Sequence, residues 1–81
     1  MLSLGVDPGT ATVGYGLVEE MHDGTLRAVT YGTITTPPSD PMWMRLRTIY
    51  DNITALVSEY HPDRAAVEEL FFAKNVTTAI T

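Results

Sequence analysis

Apolar and polar residues alternate in two early stretches of the chain. Leu2, Leu4 and Val6 alternate with smaller residues, and from Val13 the alternation resumes through Tyr15 and Leu17, with Gly14 and Gly16 between them. A period of two belongs to a half-buried strand, because successive side chains point to opposite faces. The pattern predicts a strand over Leu2, Leu4 and Val6 with Asp7 at its carboxyl end. It predicts a second over Thr12–Glu20, whose glycine-bearing face is left open to close approach. Pro8-Gly9 is the turn signal between them, since Pro fixes φ and Gly permits positive φ. Leu26–Thr35, rich in β-branched and aromatic residues, reads as a third strand. It is joined to the second by Met21-His22-Asp23-Gly24, where Asp-Gly marks a hairpin. The three strands form an antiparallel meander.

After residue 35 the period lengthens. Thr36-Pro37-Pro38-Ser39-Asp40-Pro41 reads as a loop, with Asp40 as helix N-cap and Pro41 in the first helical position. Leu46, Ile49, Tyr50, Ile53, Leu56, Val57 and Tyr60 recur at spacings of three and four, with Arg45, Arg47, Asp51, Asn52, Ser58 and Glu59 between them. This predicts an amphipathic helix lying on the sheet, ended by His61-Pro62. Residues 64–68 read as a short strand. A helix between two strands implies a crossover, with the fourth strand parallel to an earlier one. If it lies beside the first strand, Glu68 comes next to Asp7. Residues 69–75 read as a loop before a second helix that Asn75 caps, with Val76, Ala79 and Ile80 on its apolar face. No helix-ending signal precedes Thr81, so the expectation is the N-terminal part of a longer protein.

Eighty-one residues allow one domain at most, so 1–81 is read as the N-terminal part of a single domain. A chain this short buries only roughly 60–65% of its unfolded surface and should be marginally stable. There is no cysteine, which excludes disulfides and thiolate metal sites. No apolar run approaches the ~20 residues of a membrane helix, and the N-terminus lacks the basic start and apolar stretch of a signal peptide. A soluble, cytoplasmic protein is expected. The net charge of −5 and the pI of about 4.6 run against the basic profile usual for a nucleic-acid binder.

A carboxylate at the end of a buried strand is costly unless it is solvated, hydrogen-bonded or bound to a cation. Asp7 alone is as readily a turn-starting residue; its convergence with Glu68 argues for more. Two carboxylates from neighbouring strand ends suit Mg²⁺, which prefers oxygen ligands and keeps several waters. Two such ions roughly 4 Å apart activate a water and stabilise the leaving oxygen in phosphodiester hydrolysis. His ligands would favour zinc, but neither His22 nor His61 has a partner at ligand spacing, and each reads as an ordinary turn or helix-end residue.

Leu4-Gly5-Val6-Asp7-Pro8-Gly9, then Gly14-Tyr15-Gly16, then Val67-Glu68-Glu69-Leu70-Phe71-Phe72-Ala73-Lys74-Asn75 resemble, in order and over nearly the whole chain, the start of the RuvC family of bacterial Holliday junction resolvases. Other ribonuclease H-like proteins share the first motif; the last, at this distance, is the specific one. The resemblance implies an α/β, ribonuclease H-like fold. Its mixed sheet has the strand order 3-2-1-4-5 and helices on both faces, and here it is truncated before the C-terminal strand and helices. It also implies a structure-selective endonuclease: a homodimer that nicks two strands of four-way junction DNA symmetrically, in recombination and repair. The cofactor implied is Mg²⁺, with Mn²⁺ as a substitute, and the partners are branch-migration proteins of the RuvA/RuvB type.

Of the family's four catalytic acids, Asp7 matches the first and Glu68 the second, as catalytic and metal-binding residues. Glu69 would point to the other face of the strand and is a neighbour only. The other two acids lie in a C-terminal helix with no match here, so these residues alone should be inactive and bind DNA weakly or not at all. Phe71 matches the aromatic that the family places against bases at the junction centre, where stacking contributes ~1–3 kcal/mol per base. Phe72 reads as core. Lys74 and Asn75 would lie close to the scissile phosphate, against plainer readings as a solvated amine and a helix cap. The basic surface that tracks the phosphates is then expected elsewhere in the protein. A missing fifth strand would leave an unpaired edge, which predicts association or domain exchange through the helix or the strand at 64–68.

Asp7-Pro8-Gly9-Thr10 also resembles the first phosphate-binding loop of the sugar kinase, actin and heat-shock ATPase superfamily, whose members bind ATP but lack the Glu-x-Leu-Phe-Phe-Ala-Lys-Asn segment. The same residues are compatible with a non-catalytic resolvase-like scaffold, and with a ribonuclease H-like nuclease that processes RNA precursors. ATP hydrolysis would mark the ATPase, and junction binding without cleavage the scaffold.

Overall fold

The computed structural model describes residues 1–9 and 12–67. In chain order they form β1 (Leu2–Pro8), β2 (Thr12–Glu20), β3 (Leu26–Thr35), α1 (Met42–Tyr60) and β4 (Arg64–Val67). The sheet order is β3-β2-β1-β4. The β1–β2 and β2–β3 pairs are antiparallel, and β4 runs parallel to β1. This is the expected meander followed by a crossover, and β2 and β3 have the bounds that alternation predicts. β1 runs further than its apolar alternation. It continues through Pro8, so Asp7 lies inside the strand, paired with Gly14, and does not open the turn.

Residues directly opposite in a ladder share a face of the sheet. Leu4↔Leu17, Val6↔Tyr15 and Val13↔Ile34 therefore gather the apolar positions of three strands on one side. Leu4, Val6, Val13, Leu17 and Ile34 are the buried core. Ile49, Ile53, Leu56 and Tyr60 of α1 pack against it, as do Leu2, Tyr15 and Val29. The remaining apolar helix positions, Leu46, Tyr50 and Val57, are exposed, because the stripe is wider than the arc that meets the sheet.

Both ends of α1 depart from a simple capping rule. Asp40 is not the N-cap: its N–H donates to the Pro37 carbonyl at 3.0 Å in a preceding turn. Pro41 takes that place with extended backbone, and its carbonyl accepts from Met44 and Arg45 at 3.0 and 3.1 Å. Proline is tolerated there because it needs to accept only. At the other end His61 adopts the left-handed conformation (φ 49°), donates to the Val57 carbonyl at 3.0 Å, and hands over to Pro62.

Two turns bind the meander. Between β2 and β3 the Met21 N–H donates to Thr25, and Gly24, at φ 84°, donates back to Met21; only glycine holds that φ cheaply. Between β1 and β2 the Gly9 N–H donates to the Thr12 carbonyl at 3.0 Å. Gly9 is needed for space, not for positive φ: a Cβ there would collide with the Thr12 carbonyl oxygen. β4 is fastened by Asp63, whose N–H donates to the Leu2 carbonyl at 2.8 Å while its Oδ2 accepts from the Leu2 N–H at 2.7 Å.

Candidate functional site

Asp7 follows Val6, so its side chain lies on the face away from α1. Ser3 and Gly5 share that face, and the register adds Gly14 opposite Asp7 and Gly16 opposite Gly5. Two rows beyond, Thr33 and Tyr31 of β3 pair with Gly14 and Gly16. Among the described residues the half-buried Asp7 therefore stands beside Gly14 of β2, with Gly5 and Gly16 two positions along the strands.

β4 is the second wall. Its register against β1 is Ser3↔Arg64, Leu4↔Ala65, Gly5↔Ala66 and Val6↔Val67. Arg64 Nε donates to Ser3 Oγ at 2.8 Å, as two residues on a shared face can. The described part of β4 stops at Val67, level with Val6. Glu68, Glu69, Phe71, Phe72, Lys74 and Asn75 lie outside the described residues, as do Thr10 and the expected second helix. One carboxylate of the predicted pair is thus placed, together with the strand that leads to the other. Among the described residues no cluster of three or more His, Cys, Asp or Glu could hold a metal ion.

The opposite face carries a pocket of about 840 Å³ between the carboxyl ends of β1 and β4 and the N-terminal half of α1. Val6, Val13, Ile49, Ile53 and Val67 line it, with Arg45. Arg45 Nε donates to Oγ1 of the buried Thr36 at 2.9 Å. Sequence patterning assigned Arg45 to the polar face of the helix. Its signal was available in spacing alone: it stands four residues before Ile49 and so extends the buried stripe by one turn. Asp63 was also missed, because nothing local marks a residue whose partner is at the other end of the chain.

His22 is exposed in the β2–β3 hairpin, and His61 caps α1. In that hairpin Asp23 Oδ1 accepts from Thr25 Oγ1 at 2.6 Å and from the Thr25 N–H at 3.0 Å. These two bonds hold its carboxyl below the ordinary value of 3.8, the hydroxyl contributing most.

The family model for crossover junction endodeoxyribonuclease RuvC matches residues 3–81. The chain belongs to the RuvC family. A RuvC of Chloroflexus aurantiacus is 51% identical over the whole chain, which spans 49% of that protein. One of Syntrophomonas wolfei is 52% identical, also over the whole chain and 46% of its own length. The chain therefore spans about half the length of the curated relatives it matches. The solved structure of T. thermophilus RuvC in complex with Holliday junction substrate superposes with a TM-score of 0.78 at 27% identity, over 88% of this chain and 45% of that one. A second Thermus thermophilus RuvC structure gives 0.76 at 28%, over 83% of this chain and 44% of that one. The mixed sheet with its crossover helix is thus the ribonuclease H-like fold of RuvC. No helix among the described residues is long and apolar enough to cross a membrane.

Proposed function

We propose that this chain is the N-terminal part of a resolvase that hydrolyses phosphodiesters in four-way junction DNA, with Mg²⁺ (or Mn²⁺) held by Asp7 and Glu68. The observation that carries the reading is the parallel register Val6↔Val67, each residue immediately preceding one of the two acids. In the sequence Glu68 follows Val67 as Asp7 follows Val6. The donor set fits: carboxylates are the ligands that Mg²⁺ prefers. When bound, the metal supplies charge for an attacking water and for the leaving oxygen.

The chain's own residues then have separate tasks. Asp7 and Glu68 supply the negative charge that holds the metal. Phe71 offers a stacking surface to bases at the junction, while Lys74 and Asn75 donate to the phosphate. The family's two further acids have no match in residues 1–81, so the reading is that residues 1–81 alone are inactive. The working form is a cytoplasmic homodimer that cooperates with branch-migration proteins of the RuvA/RuvB type. The names of the relatives and the junction complex of the T. thermophilus protein support this reading.

The test uses the full-length protein with a labelled four-way junction in Mg²⁺, beside an Asp7→Asn variant and a linear duplex. Paired symmetric nicks in the junction alone are expected, lost in Asp7→Asn by on the order of 10²-fold or more, the size of effect seen when one stabiliser of transition-state charge is removed. Junction binding should persist. Undiminished cleavage by Asp7→Asn would overturn the assignment, and binding without cleavage by the unmodified protein would replace it with the scaffold reading.

A further inference from the structure

We infer that Tyr31, Thr33 and Thr35, the outward row of β3, form a rail of neutral contacts for the DNA strand whose phosphate lies at Asp7. The inference rests on the reading of Asp7 as a metal-holding acid and extends that site across β2 to the far strand of the sheet. It begins with register. Thr33 pairs with Gly14 and Tyr31 with Gly16, and these glycines pair with Asp7 and Gly5 of β1. Residues opposite one another in a ladder share a face, so Thr33 and Tyr31 stand on the face of Asp7. Thr35, two residues on, joins them. Gly32 lies between Tyr31 and Thr33 and faces the other way: a Cβ there would meet the Tyr15 ring, and Tyr15 is level with Val6 of the core.

The spacing suits a nucleic-acid strand. Level with Asp7 the sheet reads Thr33, Gly14, Asp7. Neighbouring strands lie about 4.8 Å apart, which puts Thr33 about 10 Å from Asp7. Gly14 has no side chain to stand between them. At about 3.4 Å of rise per nucleotide, a strand with one phosphate at Asp7 reaches Thr33 within about three nucleotides.

The chemistry suits it too. All three side chains of the row are exposed, Tyr31 by 80%. The hydroxyls of Thr25, Thr36 and Thr48 make hydrogen bonds inside the protein, whereas Thr33 and Thr35 present theirs to solvent. Threonine hydroxyls donate to phosphate oxygens, and an aromatic ring stacks on any base. Arg64, the cation that β4 brings to this face, is level with Ser3, four residues along β1 from Asp7. A lysine or arginine in the place of the threonines would be drawn to the Asp7 carboxylate and would repel the metal. Neutral donors hold the strand without that competition.

The test measures binding of a labelled four-way DNA junction to the full-length protein in metal-free buffer at several salt concentrations. The variants are Tyr31→Ala, Tyr31→Phe and the double variant Thr33→Val with Thr35→Val. Valine keeps the β-branched shape, so the strand is retained while the hydroxyls are lost. Tyr31→Ala should weaken binding about 5–150-fold, the range for one lost base–aromatic stack, and Tyr31→Phe, which keeps the ring, should recover most of that. The threonine pair should lose about 2–10-fold for each hydroxyl. The slope of log affinity against log salt should not change, because neutral groups release no counterions. Wild-type affinity in both Tyr31→Ala and the threonine pair would overturn the rail, as would a loss accompanied by a shallower salt slope. Asp7→Asn, assayed for cleavage with Mg²⁺, tests the underlying reading separately. Undiminished cleavage there would remove the metal role of Asp7, whereas the rail is judged on binding without metal.

Discussion

The two faces of this sheet differ more than its four strands do. On the side of α1 the ladder presents Leu4, Val6, Val13, Leu17 and Ile34, all buried. On the other side the same strands present Ser3, Gly5, Asp7, Gly14 and Gly16. One face is filled with branched apolar side chains that fix register, since a slip of one residue would turn all of them to the wrong side. Among the described residues the other carries glycines beside the Asp7 carboxylate, with Thr33 and Tyr31 on β3 and Arg64 on β4 at its flanks. The covered face determines where Asp7 stands; the glycine-bearing face determines what can reach it. Stability and chemistry are therefore separable by substitution, and the separation can be measured.

The largest effect on stability should come from Leu17→Ala. Leu17 has no exposed surface, and truncating a fully buried leucine costs about 2–5 kcal/mol through lost burial and the cavity left behind. Urea unfolding of the full-length protein should show a lower midpoint with an unchanged slope. An effect under about 1 kcal/mol would mean that the helix face is not the stabilising one, and the contrast would collapse.

Gly9→Ala comes next, at about 1–3 kcal/mol, the cost of forcing atoms into occupied space. The atom in the way is the Thr12 carbonyl oxygen, which is backbone and cannot rotate aside. The same unfolding experiment checks it. A neutral result would show that the β1–β2 turn relaxes without strain.

Much of this arrangement is legible from the chain, and the exceptions share a cause. Local periodicity suffices for β2, for β3 and for the helix residues Ile49, Ile53, Leu56 and Tyr60. The turn at Asp23-Gly24 is legible for the same reason, since its hydrogen bonds close within five residues. Asp7 could be singled out, but its position within the strand depends on β2 pairing as far as Pro8↔Val13, which no local pattern encodes. Asp40 has the right chemistry for a cap, yet the Pro37 turn engages its N–H first. The stripe on α1 predicts burial for Leu46 and Tyr50, which are exposed, because spacing shows which side chains are aligned and not what meets them. The proposed convergence of Asp7 and Glu68 rests on the parallel register of β4, which is described as far as Val6↔Val67. Topology rules suggest that pairing, and Asp63 fastens it through its hydrogen bonds with Leu2, 61 residues away.

Asp23→Asn should have a smaller, pH-dependent effect. The Thr25 bonds lower the Asp23 pKa in the folded state, so the charged form is the one the fold prefers. Its contribution is present above the ordinary carboxylate value of 3.8 and is lost as pH falls through the lowered one. Melting points of the two proteins should differ near neutrality and converge on acidification. A difference that grows in acid would mean that Thr25 favours the protonated acid.

The smallest change in folding stability should come from the substitution with the greatest consequence for chemistry. In metal-free buffer Asp7→Asn should alter stability by no more than about 1 kcal/mol. On the proposed pairing with Glu68 the sign should favour the variant, because two neighbouring carboxylates repel when no cation lies between them. Adding Mg²⁺ reverses the order. A ligand at about one hundred times its dissociation constant stabilises the state that binds it by about 2.7 kcal/mol; the wild type should gain on that scale and the variant should not. Melting curves of both proteins, with and without Mg²⁺, make the comparison directly. If Asp7→Asn without metal loses as much as Leu17→Ala, Asp7 belongs to the structural face in all but geometry. If both proteins gain equally from Mg²⁺, the glycine-bearing face is not where the metal goes.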